Sequence, residues 1–137
     1  MKNQVVVIIQ ARMKSERLPE KVFKKVIDKP LLYYLIERIR KCKMVDNIII
    51  ATTNNIEDNK IVDFCKNHKI SYYRGSENNV LLRFKKAALK YNADTIVRIC
   101  ADSPLVDFRI IDDFICDFKK NKNKIDYLTN SIKQSYP

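Results

Sequence analysis

The 137 residues hold one glycine, Gly75, one histidine, His68, and four cysteines with no C-x-x-C pair. Each scarcity excludes something. A chain with a single glycine cannot build a G-x-G-x-x-G or Walker loop, which disfavours a dinucleotide or P-loop cradle made of backbone amides. Cys42, Cys65, Cys100 and Cys116 are widely spaced, and with one histidine they form neither a metal set nor an obvious disulfide framework. All four are expected to be reduced, packed thiols behaving as small hydrophobes. His68 closes a helical pattern and is expected to be exposed rather than catalytic. Long apolar runs are missing too. The longest aliphatic run is Val5 to Ile9, far short of the roughly 20 residues of a membrane span, and the N-terminus lacks the basic, apolar, small-residue order of a signal peptide. A cytoplasmic protein with no membrane partner is expected.

What is present is ordinary globular material, 46% hydrophobic and 31% charged, enough for one domain over residues 1–137. The net charge of +11 admits a nucleic-acid or phosphate partner. Much of the lysine, however, lies in helix-like stretches such as "ERIRKCK" and "FKKNKNK", where it reads as solvated face. No platform of aromatic and basic residues and no recognition helix is visible, so no nucleic-acid partner is expected.

Two periods alternate along the chain. Val5 to Ile9 is a continuous β-branched run of the kind covered on both faces of a sheet, and Ile48–Ala51, Ile70–Tyr73, Thr95–Ile99 and, more weakly, Tyr127–Thr129 repeat it. Between the runs, apolar residues fall at helical spacing. They are Leu31, Leu32, Leu35, Ile36 and Ile39 after Pro30; Val80, Leu81, Phe84, Ala87, Ala88 and Tyr91; and Ile110, Ile111, Phe114, Ile115 and Phe118. Asn54 or Asn55 would cap a further helix through Ile61, Val62 and Cys65. Strands alternating with helices predict βαβ units and a mostly parallel, three-layer α/β fold.

In such a fold ligands sit outside the carboxyl ends of the strands. The segments that follow strands are "QARMKSERLPEK", "TTNN", "RGSENN" and "CADSP", all polar or charged, and their convergence points to a nucleotide-sized site. The first gathers Arg12, Lys14, Arg17 and Lys21 directly behind a buried strand. Guanidinium forks and an ammonium can hold polyphosphate where backbone amides do not; a solvated basic connector is the plainer reading of the same spacing. Asp102 in "ADSPLVD" admits two readings as well, a metal ligand or a carboxylate placed by a helix dipole.

The stretch "VVVIIQARMKSERLPEKVF" resembles the N-terminal motif of the SpsF-like sugar-acid cytidylyltransferases, related to CMP-Kdo and CMP-sialate synthetases. The likeness continues in family order through "IIIATTNN", "YYRGSENNVLLRF", "IVRICADSPLVD" and "DYLTNSIKQSYP". It implies a Rossmann-like nucleotidyltransferase fold of the GT-A type, with CTP over the carboxyl edge of the sheet and a sugar as the second substrate, in surface polysaccharide biosynthesis. It implies that Ala11, Arg12, Ser15, Arg17 and Lys21 surround the triphosphate, with Arg12, Lys21 and Asp102 catalytic. Thr52 and the segment Arg74, Gly75, Ser76 and Glu77 would border the nucleoside, Asp102 would bind Mg²⁺, and Arg98 would lie on the same strand's approach.

Several residues depart from the family pattern. Lys14 and Glu20 stand at usual glycine positions, so a turn needing positive φ must be made differently. Glu16 and Glu20 bring negative charge near a triphosphate, Asn54 replaces a common Asp, and Cys100-Ala101 replaces a common Thr-Gly. Family members also continue well past "SYP", and that part carries a second metal aspartate, much of the sugar pocket and the homodimer contact. The resemblance therefore implies the nucleotide-binding half, lacking the C-terminal part. Beside an active cytidylyltransferase stand a catalytically silent nucleotide-binding module, half of a GT-A glycosyltransferase, and a basic nucleic-acid-binding domain.

Overall fold

The computed structural model describes residues 3–131. Four strands, β1 (Val5–Gln10), β4 (Asn47–Thr53), β5 (Ser71–Gly75) and β6 (Thr95–Cys100), form one parallel sheet in the order β5-β4-β1-β6. Two-residue strands β2 (Lys25–Val26) and β3 (Lys29–Pro30) pair as a small hairpin ahead of helix α1 (Leu31–Ile39). The other helices are α2 (Asn59–Asn67), α3 (Val80–Lys90) and α4 (Phe108–Asn121), with single 3₁₀ turns at Lys21–Phe23 and Ile56–Asp58. The expected α/β class and parallel sheet are observed.

Strand β1 is fully buried from Val5 to Ile9 because both its faces are covered. Val5, Val7 and Ile9 pack on Leu32, Leu35 and Ile36 of α1, Ile61 and Cys65 of α2, and Ile111 and Ile115 of α4. Val6 and Ile8 point the other way, onto Phe84, Ala87 and Ala88 of α3. The chain winds from β1 through β4 to β5, then returns across β1 to β6. Parallel crossovers keep one hand, so reversing direction sends α3 to the opposite face. The crevice at the carboxyl ends of β1 and β6 is the switch point of this topology.

Some expectations are corrected. Residues Tyr127–Thr129 form no strand, because an extended segment becomes one only by pairing, and here they lack a ladder partner among the described residues. Leu81 is 81% exposed, and the buried stripe of α3 instead includes Arg83. Neither Asn54 nor Asn55 caps a helix with its side chain; a 3₁₀ turn intervenes, and the Asn55 amide side chain donates to Glu77. His68 is half-buried, its ring against Phe64 and Tyr33. The four thiols are free, but Cys100 is exposed rather than packed. The end of the "DYLTNSIKQSYP" likeness, residues 132–137, lies outside the described residues.

Candidate functional site

The loop after β1 is built by three ties. Ala11 N–H donates to the Ala51 carbonyl and Glu20 N–H to the Met13 carbonyl, closing the loop on itself. The third tie is Asp58, only 2% exposed. Its carboxylate accepts from Met13 N–H at 2.7 Å, from Thr53 N–H at 3.1 Å and from the Thr53 hydroxyl. One buried carboxylate thus fastens the β1 loop to the end of β4. The sequence shows Asp58 only as one acid in "NIEDN", and nothing in its spacing marks it.

Glu20 occupies the position where a glycine was expected. It does take the left-handed conformation, φ 55°, and its carboxylate meets Lys60 Nζ at 2.6 Å. That hydrogen bond, aided by the Lys60 charge, holds the Glu20 carboxyl below its usual range. Its negative charge is therefore engaged by Lys60 at the far side of the loop.

Between the β1 loop and the end of β6 lies a cleft of about 190 Å³, lined by Ala11, Arg12, Lys14, Ser15, Lys21 and Asp102 among others. Sites that enclose small molecules run to about 300–1,000 Å³, so this is a shelf open on one side. Lys21 Nζ sits 2.5 Å from Asp102 Oδ2 and joins the two strand ends. Its hydrogen bond holds the Asp102 carboxyl below the ordinary range; partial burial opposes this, and the charges of Lys21 and Arg17 add to it. Asp102 is not a helix cap. Helix α4 is capped by Asp107, whose side chain accepts from Arg109 N–H, so the dipole reading of Asp102 falls away.

Arg12 leans to the other side, 3.7 Å from Glu77, and Arg17 is exposed. Arg74 is fully engaged, donating to the Thr53 carbonyl, the Asn55 carbonyl and Asn59 Oδ1; it braces the ends of β4 and β5. The Ser76 hydroxyl accepts from Asn79 N–H. Thr52 is buried with its hydroxyl unpartnered among the described residues. Arg98 does not reach the cleft: it lies on the exposed α3 side of β6, its guanidinium 5.5 Å from the centre of the Phe84 ring.

No group of three or more His, Cys, Asp or Glu side chains converges among the described residues. A metal held by protein alone does not fit. Mg²⁺ does, because it binds through one or two carboxylates and keeps phosphate oxygens and waters for its other positions. A larger hollow of about 240 Å³ lies at the opposite, amino ends of β4 and β5, lined by Ile39, Arg40, Cys42 and Lys69 among others. None of the strand-end loops contributes to it.

Comparison with known proteins gives the family. The chain is 43% identical over 126 residues to an uncharacterized protein of Methanocaldococcus jannaschii, spanning 92% of this chain and 51% of that one. It is 37% identical over 114 residues to the spore coat polysaccharide biosynthesis protein SpsF of Bacillus subtilis, spanning 80% of this chain and 48% of that protein. A cytidylyltransferase structure from Leptospira borgpetersenii superposes with a TM-score of 0.92 at 36% identity, covering 97% of this chain and 56% of that one. The chain spans about half the length of these relatives. The sequence profile described as cytidylyltransferase matches residues 6–135, and the chain belongs to that family.

Proposed function

We propose that this chain is the nucleotide-binding half of a cytidylyltransferase that transfers CMP from CTP to a sugar acid with release of pyrophosphate, for surface polysaccharide. The observation that carries the reading is the arrangement of Arg12, Ser15 and Lys21 around one cleft with Asp102 on the facing strand end. In-line attack of a hydroxyl on the α-phosphorus needs little acid or base work. Its barrier falls mainly through positioning and through neutralising charge on the phosphoryl oxygens. Arg12 offers a fork to two phosphate oxygens and Lys21 a point charge. Mg²⁺, held by Asp102, supplies further neutralisation of phosphate charge when bound. With a triphosphate in the cleft Lys21 would exchange Asp102 for phosphate, and the freed carboxylate is the group that would hold a cation.

Calorimetric titration with CTP, UTP, ATP and a short oligonucleotide, each with and without Mg²⁺, tests this. CTP is expected to bind most tightly. Arg12→Ala and Lys21→Ala should each weaken it about tenfold or more, the loss of one charge-assisted contact of roughly 1.5–3 kcal/mol. Unchanged affinity in both variants would reduce the loop to a solvated connector, and Mg²⁺-independent binding of the oligonucleotide alone would overturn the reading.

A further inference from the structure

Arg83 is the largest fully buried side chain, 1% exposed, in the first turns of α3. Its Nη1 donates to the Ser76 carbonyl, while Nε and Nη2 have no partner among the described residues. Those two nitrogens form one edge of the guanidinium, the edge that makes a bidentate fork. A buried donor left unmade is costly, and here two stand side by side. The chain's single glycine is placed to allow it. Gly75 has no positive φ, so its backbone does not call for glycine. A Cβ there would lie 3.0 Å from Arg83 Cγ and 3.3 Å from Arg83 Cβ. It would also lie 3.0 Å from Tyr73 Cε1, so position 75 is bare where the Arg83 stem and the Tyr73 ring both crowd it.

We infer that Arg83 is a specificity-determining residue of the nucleotide site, its free edge reading two adjacent hydrogen-bond acceptors on the pyrimidine ring. The inference rests on the proposed CTP reading and assigns its base. Phosphates belong at the β1 and β6 ends, where Arg12, Lys21 and Asp102 meet. The Arg83 guanidinium bonds to the segment just past β5, two strands from β1, or about 10 Å at the usual strand spacing. A nucleotide reaching that far from its phosphates presents its base. Cytosine carries O2 and N3 as neighbouring acceptors, matching the fork; uracil has N3–H, a donor, in place of the second acceptor and meets the fork with a clash of like groups. Arg12, Asp58 and Glu77 are the charged groups that act on Arg83. The edge is closed to solvent in the free chain, so the turn that follows β5 must open as the base arrives.

The test compares CTP, UTP and inorganic tripolyphosphate by calorimetry for the wild type, Arg83→Met and Arg83→Lys. The expected result is that tripolyphosphate affinity changes less than twofold, while preference for CTP over UTP falls at least tenfold in both variants. A preference that survives in a folded variant, or equal losses for CTP and tripolyphosphate, overturns the assignment. The Arg83 Nε–H resonance of the wild-type protein gives an answer independent of variant folding. It should move on CTP binding and stay with tripolyphosphate; an unmoved resonance at saturating CTP sinks the inference. A wild type that prefers CTP, with Arg83 silent, spares the proposed function, whereas no CTP preference in the wild type removes both.

Discussion

Single side chains hold the site's loops, and two of them make sharp predictions. Asp58 accepts three hydrogen bonds from groups on two different strand-end loops while almost fully buried. Asp58→Ala would leave buried donors unmade in both loops and should destabilise by about 3–5 kcal/mol. Chemical denaturation measures this, and a loss below about 1 kcal/mol would mean that neither loop depends on the carboxylate. Cys65 tests burial in another way. Burial pushes its thiol up from 9.0 to about 12, so the fold favours the protonated form. A raised folded value means that this contribution is whole below pH 9 and drains away as pH climbs from 9 toward 12. The stability of Cys65→Ala should therefore fall less steeply with pH than that of the wild type between 9 and 11. In the folded protein at pH 8, an alkylating agent should label exposed Cys100 and spare Cys65.

At the scale of elements, the shortage of glycine shows in four of the described residues that take the left-handed conformation without being glycine: Glu20, Ile27, Lys69 and Asn92. Lys69 follows the last turn of α2 and Asn92 that of α3, where Ile70 N–H reaches the Cys65 carbonyl and Ala93 N–H the Ala88 carbonyl. Glycine normally fills such positions. Ile27 sits at the tip of the β2–β3 hairpin, β-branched and 93% exposed. Strain there has no apolar burial to offset it. Replacing Ile27, Lys69 and Asn92 singly by glycine should stabilise in that order, with about 1–2 kcal/mol at Ile27 and almost nothing at Asn92, since Asn tolerates this region. Melting temperatures of the three variants decide it; a drop for Ile27→Gly would show that the tip is held by something other than the turn. The same elements show what was legible in the sequence. The β-branched runs and the 3.6-residue stripes located all four long strands and four helices, because burial on two faces or one face imposes those periods. The hairpin was invisible, since two-residue strands have no period. Arg83 was hidden for a different reason: it occupies an apolar stripe, and a reading by hydrophobicity put Leu81 there instead. The place of the loop cations and Asp102 behind strand ends was legible, whereas Asp58 depends on a contact across 45 residues that no local spacing displays.

For the whole molecule, the open side of the cleft matters most. Strand β6 has a neighbour on one edge only among the described residues, and on its α3 face Ile96 is 46% exposed while Arg98 and Cys100 are exposed. Nothing among the described residues walls the cleft beyond Asp102. In-line transfer demands that the attacking hydroxyl be held to a fraction of an ångström, and a binding shelf without its second wall supplies charge without that placement. The 137-residue chain should accordingly bind CTP with a partial dependence on Mg²⁺, yet release pyrophosphate extremely slowly with any of a panel of keto-sugar acids. Asp102→Asn separates the two functions of the shelf. It should remove the Mg²⁺ increment and leave metal-free CTP affinity nearly intact, because Arg12 and a Lys21 no longer paired with a carboxylate still face the phosphates. Affinity is measured with and without Mg²⁺ for both proteins, and pyrophosphate by a coupled assay. An increment that persists in the Asn variant would place the cation elsewhere. Rapid turnover by this chain would show that the shelf alone orients the acceptor.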